Sequence, residues 1–160
     1  MKSAWATFLA LSLAMPMAQA KSRHCTFRVH VEANVRDTDS FSIPAKVGGS
    51  GKPVPIEKVA TISESEVTSF SAYQASDGTF GALLRLDEHG RVILDTLSVE
   101  RRGRLLFIFM NGRQLTELQI DKRVSDGQIY IPSGLTAADL KLMKKDWKVI
   151  DPKKEKKKSG

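Results

Sequence analysis

The amino-acid sequence predicts an α+β fold, in which a mixed, largely antiparallel sheet carries two main helices on one face. Apolar and polar residues alternate in several short segments, as they do in half-buried strands. The dipeptides Asp77-Gly78 and Asn111-Gly112, which are typical of tight hairpins, each stand between two such segments. Two longer segments with helical apolar spacing begin at Asp87 and Thr136, whose side chains suit N-caps.

Length and composition indicate one folded domain with a basic tail. The chain has 160 residues, 41% of them hydrophobic, which favours a folded domain with a buried core over a disordered chain. The formal net charge is +7, and much of the excess lies in one tail. We therefore predict a single domain over residues 21–150 and a solvated basic tail over residues 151–160.

The first twenty residues predict a secretory signal peptide. Lys2 supplies a positive start, residues 4–15 form an uncharged apolar run, and Ala18-Gln19-Ala20 has the small residues that signal peptidase accepts. A membrane anchor is the alternative, but the run is shorter than the ~20 residues that span a bilayer. We expect cleavage after Ala20 and a periplasmic or secreted protein.

The first half of the mature chain predicts three strands. Residues 25–33 alternate cleanly, with the apolar side on Cys25 and every second residue after it. Residues 41–47 alternate again, and Pro44 there indicates an edge strand or a bulge. A glycine-rich loop is expected over residues 48–55, and a third extended segment over residues 56–62.

A short turn, a hairpin and a helix are predicted next. Ser63 and Glu66 have capping-box spacing and open a single helical turn. Residues 69–75 and 79–86 form the hairpin around Asp77-Gly78. The helix from Asp87 ends near Arg101, because Gly103 is a natural terminator. Its predicted apolar face consists of Leu86, Val92, Ile93, Leu97 and Val99.

The last third predicts the centre of the sheet and a second helix. Leu105–Met110 is apolar on both sides and is expected to be a central strand. The returning strand covers residues 114–120, and another strand covers residues 128–132 and ends by Gly134. The helix capped by Thr136 is expected to have Asp139 in the capping-box position and to bury one apolar face, namely Leu140, Met143 and Trp147.

Four segments between residues 62 and 142 resemble the head region of the first periplasmic domain of the protein-export subunit SecD, also found in fused SecDF. Ile62-Ser63-Glu64-Ser65-Glu66-Val67 is similar to the family's short segment before the first hairpin, and residues 84–90 (LRLDEHG) to its strand and acidic helix start. Residues 101–112 match its glycine, arginine, apolar strand and Asn-Gly turn. Residues 127–136 match its last strand and helix cap. The resemblance implies a SecD-head-like fold that contacts polypeptide at the outer face of the membrane.

The resemblance leaves part of the family's pattern unmatched. The transmembrane helices and membrane acidic residues of a full SecD have no counterpart in this sequence, and residues 25–56 match no part of the head region. The resemblance therefore implies neither a motor nor a channel.

No metal site, cofactor site or catalytic site is predicted. His24 and His30 lie six residues apart on one strand face, a distance of ~20 Å at ~3.3 Å per residue, and Cys25 points to the other face. Asp87 and Glu88 are explained as a cap and a first-turn acid. An exported enzyme with a site that the sequence does not display is the alternative.

Cys25 is the only cysteine, so an internal disulfide cannot form. The sequence leaves three states of the Cys25 thiol open, namely free, buried or paired with another chain. Its place on the apolar side of the first strand favours burial.

The candidate partner-binding residues are two tyrosines and a basic cluster. Tyr73 and Tyr130 would form an adhesive surface for extended peptide on the open face of the sheet, whereas core packing is expected for Phe70 and Phe80. Arg101, Arg102 and Arg104 lie at a helix end, where they suit the helix dipole or an acidic partner.

A lysine run in the tail is the third candidate surface. It consists of Lys153, Lys154, Lys156, Lys157 and Lys158. Such a run is usually only solvated, but it is also able to bind an anionic membrane surface or another polyanion. Nucleic acid is not expected, because no aromatic residues are interleaved with the lysines.

Together these patterns predict a non-catalytic periplasmic binding module. Its expected partners are polypeptide or a membrane-bound envelope protein, with the Sec translocase as one candidate. A cell-envelope polyanion binder acting through the tail remains a further alternative.

Overall fold

The structure is a computed structural model, and it describes residues 24–34 and 40–151. The predicted signal peptide, the polar segment 35–39 and the tail lysines lie outside the described residues. None of the helices in the described part is long and apolar enough to cross a membrane.

The described residues form ten strands, two α-helices and one 3₁₀ turn over Glu64–Glu66. The strands are β1 (Phe27–Val31), β2 (Ser42–Lys46), β3 (Pro53–Glu57), β4 (Ile62–Ser63), β5 (Val67–Gln74), β6 (Phe80–Leu86), β7 (Leu105–Met110), β8 (Arg113–Gln119), β9 (Gln128–Leu135) and β10 (Lys148–Val149). The helices are α1 (Glu88–Glu100) and α2 (Ala137–Asp146).

The α+β class and the mixed, largely antiparallel pairing are confirmed, and the strands are divided between two sheets. The first sheet has the order β4-β1-β7-β8, and the second has the order β10-β5-β6-β9. Strands β2 and β3 form a separate hairpin. Within the described residues, the β10–β5 pair is parallel and all other strand pairs are antiparallel.

One hydrophobic core joins the two sheets and both helices. The inward side of β1 is buried at every second residue from Cys25 to Ala33, as the alternation predicts. Trp147, just after α2, makes edge-to-face contacts with Phe27 of the first sheet and Phe70 of the second, with ring centroids 6.4 Å apart in each case. Phe70 is buried as predicted, and Phe80 is half-buried against the same core.

Strand β7 is central and buried on both faces, as its apolar run predicts. Ile108 and Met110 belong to the main core, while Phe107 packs on the other face against Ala45 and Ile56 of the hairpin. The turn after β7 has positive φ at both residues, 51° at Asn111 and 78° at Gly112, as a type I′ turn requires.

Both predicted helix caps are present. The side chain of Asp87 accepts a hydrogen bond from the Gly90 N–H, and Thr136 forms a reciprocal capping box with Asp139. The smaller capping box of Ser63 and Glu66 opens the 3₁₀ turn.

Three local predictions are wrong. Strand β3 already begins at Pro53, inside the predicted loop, and ends at Glu57 rather than continuing to Ile62. The buried stripe of α1 is Gly90, Leu94, Leu97 and Ser98, whereas Val92 and Val99 are 50% and 57% exposed. Gly134 lies within β9 with a φ of 94°, at an irregularity in the pairing with β6, and does not end the strand.

Candidate binding cleft

An apolar cleft of about 280 Å³ lies where the two sheets approach each other. Strand β8 is an edge of the first sheet and β9 is an edge of the second, and the cleft is lined by residues of both. Leu118 comes from β8 and Ile129 from β9. Leu94 of α1 and Ile108 of β7 line its interior side. Apolar side chains from several elements therefore meet at one opening between the sheets.

The cleft is bordered by the segment that connects β8 to β9. Ile120 and Val124 of this segment face the apolar lining, and Asp121, Lys122 and Asp126 add charged groups of both signs. The charged groups at the border of the cleft are able to hydrogen-bond a polypeptide backbone, while the apolar interior accommodates an apolar side chain.

Contacts with α1 hold the connecting segment in place. The Ser98 hydroxyl accepts a hydrogen bond of 2.9 Å from the Val124 N–H. Arg123 forms a bidentate pair with Asp95, with N–O distances of 2.5 and 2.7 Å. This hydrogen bonding from Arg123 lowers the pKa of Asp95. The border of the cleft is thus attached to a helix, which limits the number of shapes the opening can adopt.

The structure brings Tyr73 and Tyr130 together across β6. Their rings are stacked, with centroids 5.9 Å apart and an angle of 9° between the planes. Burial, and then the hydrogen bond with Tyr130, raises the pKa of Tyr73 to about 12. Tyr130 is exposed and also lines the cleft, so this predicted partner-binding residue lies at the opening. Its role in binding stays a prediction.

The predicted arginine cluster makes ion pairs within the protein. Arg101 contacts Glu57 of β3 at 3.1 Å, and Arg104 contacts Glu32 at 3.5 Å. Both pairs attach the end of α1 and the start of β7 to other strands, which agrees with a structural use of these two charges. Arg102 is exposed and adjoins them. None of the three arginines lines the cleft.

Cys25 is buried, as its position in the sequence favours. Its thiol lies 3.4 Å from the Met110 sulfur. Burial raises the pKa of the Cys25 thiol to about 12, and the negative charges of Asp146 and Asp139 add to the shift. Because the thiolate is the nucleophilic form, burial and the raised pKa both lower the reactivity of this thiol. Among the described residues, no three His, Cys, Asp or Glu side chains are placed to hold a metal ion.

Apart from Tyr130, sequence reasoning missed the residues that line the cleft. Val124 is the one apolar residue between Asp121 and Gln128, and it could have drawn notice as a buried position in a polar segment. Leu118 lies within the predicted returning strand, but no pattern in the sequence shows that β8 and β9 lie next to each other.

The fold is similar to two solved structures of SecDF. One is described as a membrane component that enhances protein export; it matches with a TM-score of 0.53 and 12% identity over 78% of this chain and 64% of that chain. The other shows SecDF in a super-membrane-facing form and matches with a TM-score of 0.54 and 14% identity, over 78% of this chain and 19% of that chain. This chain thus spans less than two thirds of either structure.

No protein-family model matches the chain, and no curated protein matches it at a significant level. The similarity to SecDF is therefore a similarity of fold. At that level it confirms the resemblance found in the sequence motifs, because the described residues share the fold of part of SecDF.

Proposed function

We propose that this protein is a non-catalytic binding module of the periplasm that serves protein export by binding apolar segments of polypeptide. The observation that carries the proposal is the apolar cleft between β8 and β9. A fold shared with part of SecDF, described as a component that enhances protein export, supports the link to export.

The size of the cleft favours side chains over a cofactor. Its volume of about 280 Å³ lies at the lower limit of small-molecule sites, which usually measure about 300–1,000 Å³. It therefore suits one or two apolar side chains of a longer chain. Burying one such side chain contributes about 1.5–3 kcal/mol, which corresponds to weak and reversible contact.

The titratable groups of the described residues support a role without catalysis. Asp139 and Asp95 are held by hydrogen bonds to neighbouring residues, and the Cys25 thiol is buried. The pKa shifts of these three groups follow from hydrogen bonds, burial or neighbouring charges, and none of the three groups lines the cleft.

Photo-crosslinking in intact cells tests this function. A photoreactive amino acid replaces Tyr130, which is exposed at the cleft, and a control variant carries it at Val59, which is 79% exposed and is not a cleft residue. We expect adducts with exported polypeptides or translocase subunits from position 130 in clear excess over position 59. Equal yields at both positions, or a single unrelated envelope protein at both, would contradict the proposal.

A cleft-filling variant gives a second readout. Val124→Phe places a larger apolar side chain in the cleft, so adducts from position 130 are expected to decrease. The matched control is Lys122→Gln, which changes a charged residue of the cleft without filling its interior. Circular dichroism and the thermal midpoint of each variant show that it is folded. Unchanged adducts in a folded Val124→Phe variant would exclude the cleft as the binding site.

A further inference from the structure

Strand β5 has an outer edge that is only half covered. Strand β10 pairs with it at Ser69 and Phe70, and the Ile150 N–H donates a 2.8 Å hydrogen bond to the Phe70 carbonyl. Strand β5 continues to Gln74, and no strand of the described residues pairs with its outer side over Ser71–Gln74.

The antiparallel pairing with β6 shows which backbone groups face this open edge. The Ala75 N–H donates to the Thr79 carbonyl, so Tyr73–Gly81 and Ser71–Leu83 are the hydrogen-bonded pairs of the ladder. The residues between them direct their N–H and C=O groups away from β6. Ala72 and Gln74 therefore present two donors and two acceptors at the outer edge.

A proline stands where a parallel continuation of β10 along this edge would donate its next hydrogen bond. In a parallel ladder that continues from Ile150, the next N–H to donate to β5 belongs to residue 152, and its acceptor is the Ala72 carbonyl. Residue 152 is proline, which has no N–H. A continuation of β10 in this register would therefore leave the Ala72 carbonyl without its ladder donor.

This edge also lacks the features that protect other edges from pairing. The β2–β3 hairpin carries Pro44, Pro53 and Pro55, which remove ladder donors. The outer half of β5 reads Ser-Ala-Tyr-Gln and has neither a proline nor a charged residue.

An apolar recess of about 350 Å³ lies beside the edge. Its apolar lining includes Ala72 of β5, Phe80 of β6, Leu140 of α2 and Ile150 after β10. Lys144 and Asp151 are its charged residues, and Lys141 and Lys145 lie on the same helix as Lys144. The recess offers room for an apolar side chain beside the open backbone groups of β5.

We propose that the outer edge of β5 binds an extended polypeptide segment as an added strand, with an apolar side chain in the recess and an acidic residue near Lys144. The added backbone pairs with Ala72 and Gln74, as in other cases of β-augmentation. The inference relies on the proposed function only in taking polypeptide as the ligand. The recess and the cleft share no lining residue.

Hydrogen exchange measured by NMR tests this site on the mature protein. The probe is a fluorescein-labelled decapeptide of alternating threonine and valine that ends in two glutamates. Its binding is expected to slow exchange of the Ala72 and Gln74 amides by at least about tenfold, since both become hydrogen-bonded. The Ser71 and Tyr73 amides already pair with β6 and serve as internal controls that change little.

Two variants at one position separate backbone pairing from side-chain contact. Gln74→Pro removes an outward N–H at the exposed end of β5, whereas Gln74→Ala retains it. Loss of one hydrogen bond is expected to weaken peptide binding roughly two- to tenfold in the proline variant only, measured by fluorescence anisotropy. A peptide with proline at alternate positions is the control ligand and should not bind.

The outcomes distinguish the edge from the cleft and from self-association. If peptide still slows exchange of the Ala72 and Gln74 amides in the Val124→Phe variant, binding at the β5 edge is supported. This holds whether or not crosslinking at the cleft decreases in that variant. Protection at Leu118 and Ile129 instead, or no protection, overturns the proposal. In the absence of peptide, exchange at Ala72 and Gln74 that slows with rising protein concentration, together with a dimer in light scattering, would show that the edge pairs with a second copy of the chain. That result also overturns the proposal.

Discussion

Asp139 joins the N-terminus of α2 to the turn between β7 and β8. One carboxylate oxygen accepts a 2.7 Å hydrogen bond from the Asn111 side chain, and the other accepts bonds from Arg113 and the Thr136 backbone. Burial alone would raise the pKa of Asp139, but the hydrogen bonds from Thr136 and Asn111 and the charge of Arg113 together lower it. This one side chain therefore connects α2 to the first sheet through charge and hydrogen bonding.

The lowered pKa of Asp139 predicts a loss of stability in acid. The stabilisation by the Asp139 carboxylate is complete above the pKa of about 4 that the group has in the unfolded chain. It is lost as the pH falls through the lower pKa of the folded protein. Asp139→Asn should reduce the free energy of unfolding by about 1–3 kcal/mol at about pH 7, and the difference from wild type should shrink at about pH 3.

Urea unfolding at the two pH values measures this difference. Asp121→Asn is the matched control, because Asp121 is exposed and its substitution is expected to change stability little. A destabilisation by Asp139→Asn that is equal at both pH values would mean that the charge is not its cause.

At the scale of elements, Gly81 allows β5, β6 and β9 to be joined by one tyrosine. The Tyr73 hydroxyl reaches across β6 and donates to the carbonyls of Ile131 and Pro132 at 3.0 and 2.9 Å. A Cβ at position 81 would lie 2.2 Å from the Tyr73 ring and 2.6 Å from the Pro132 carbonyl oxygen. Because Gly81 has no side chain, the Tyr73 ring has room to cross β6 at this position.

Gly81→Ala is therefore expected to displace Tyr73 and destabilise the second sheet. The cost should be about 1–3 kcal/mol, because neither the ring nor the backbone oxygen can move without losing contacts. Thermal unfolding followed by circular dichroism measures it. Gly49→Ala is the control, since nothing lies within 4 Å of a Cβ at that position. If both variants unfold at the wild-type temperature, the close contact at Gly81 has no energetic role.

At the scale of the whole molecule, Trp147 contacts aromatic residues of both sheets. Because its ring contacts Phe27 and Phe70, removing it opens a cavity between elements that are far apart in sequence. Trp147→Ala should lower the free energy of unfolding by about 3–5 kcal/mol in a single transition.

The control for this variant is Phe41→Ala, since Phe41 is 71% exposed and its loss should cost less than about 0.5 kcal/mol. Two separate urea transitions in Trp147→Ala would show that the sheets unfold independently and do not share one core.

Much of the local structure followed from the sequence, because its causes are local. Turn glycines, capping side chains and two-residue alternation act within a few residues, and they identified the β5–β6 and β7–β8 hairpins, both helix starts and β1. The apolar stripe of α1 was misplaced because its apolar residues cover more than one side of the helix. Only contact with the core selects Leu94 and Leu97 over Val92 and Val99.

The sequence by itself determined the α+β class, the two helices, the two tight hairpins and the buried side of Cys25, since each depends on periodicity or on a turn residue. The tertiary structure alone decided that β8 and β9 border a cleft and that Tyr73 stacks on Tyr130. It also decided that no strand of the described residues covers half of the β5 edge. These features depend on which distant segments become neighbours. That outcome follows from the packing of the whole core and leaves no periodic pattern along the chain.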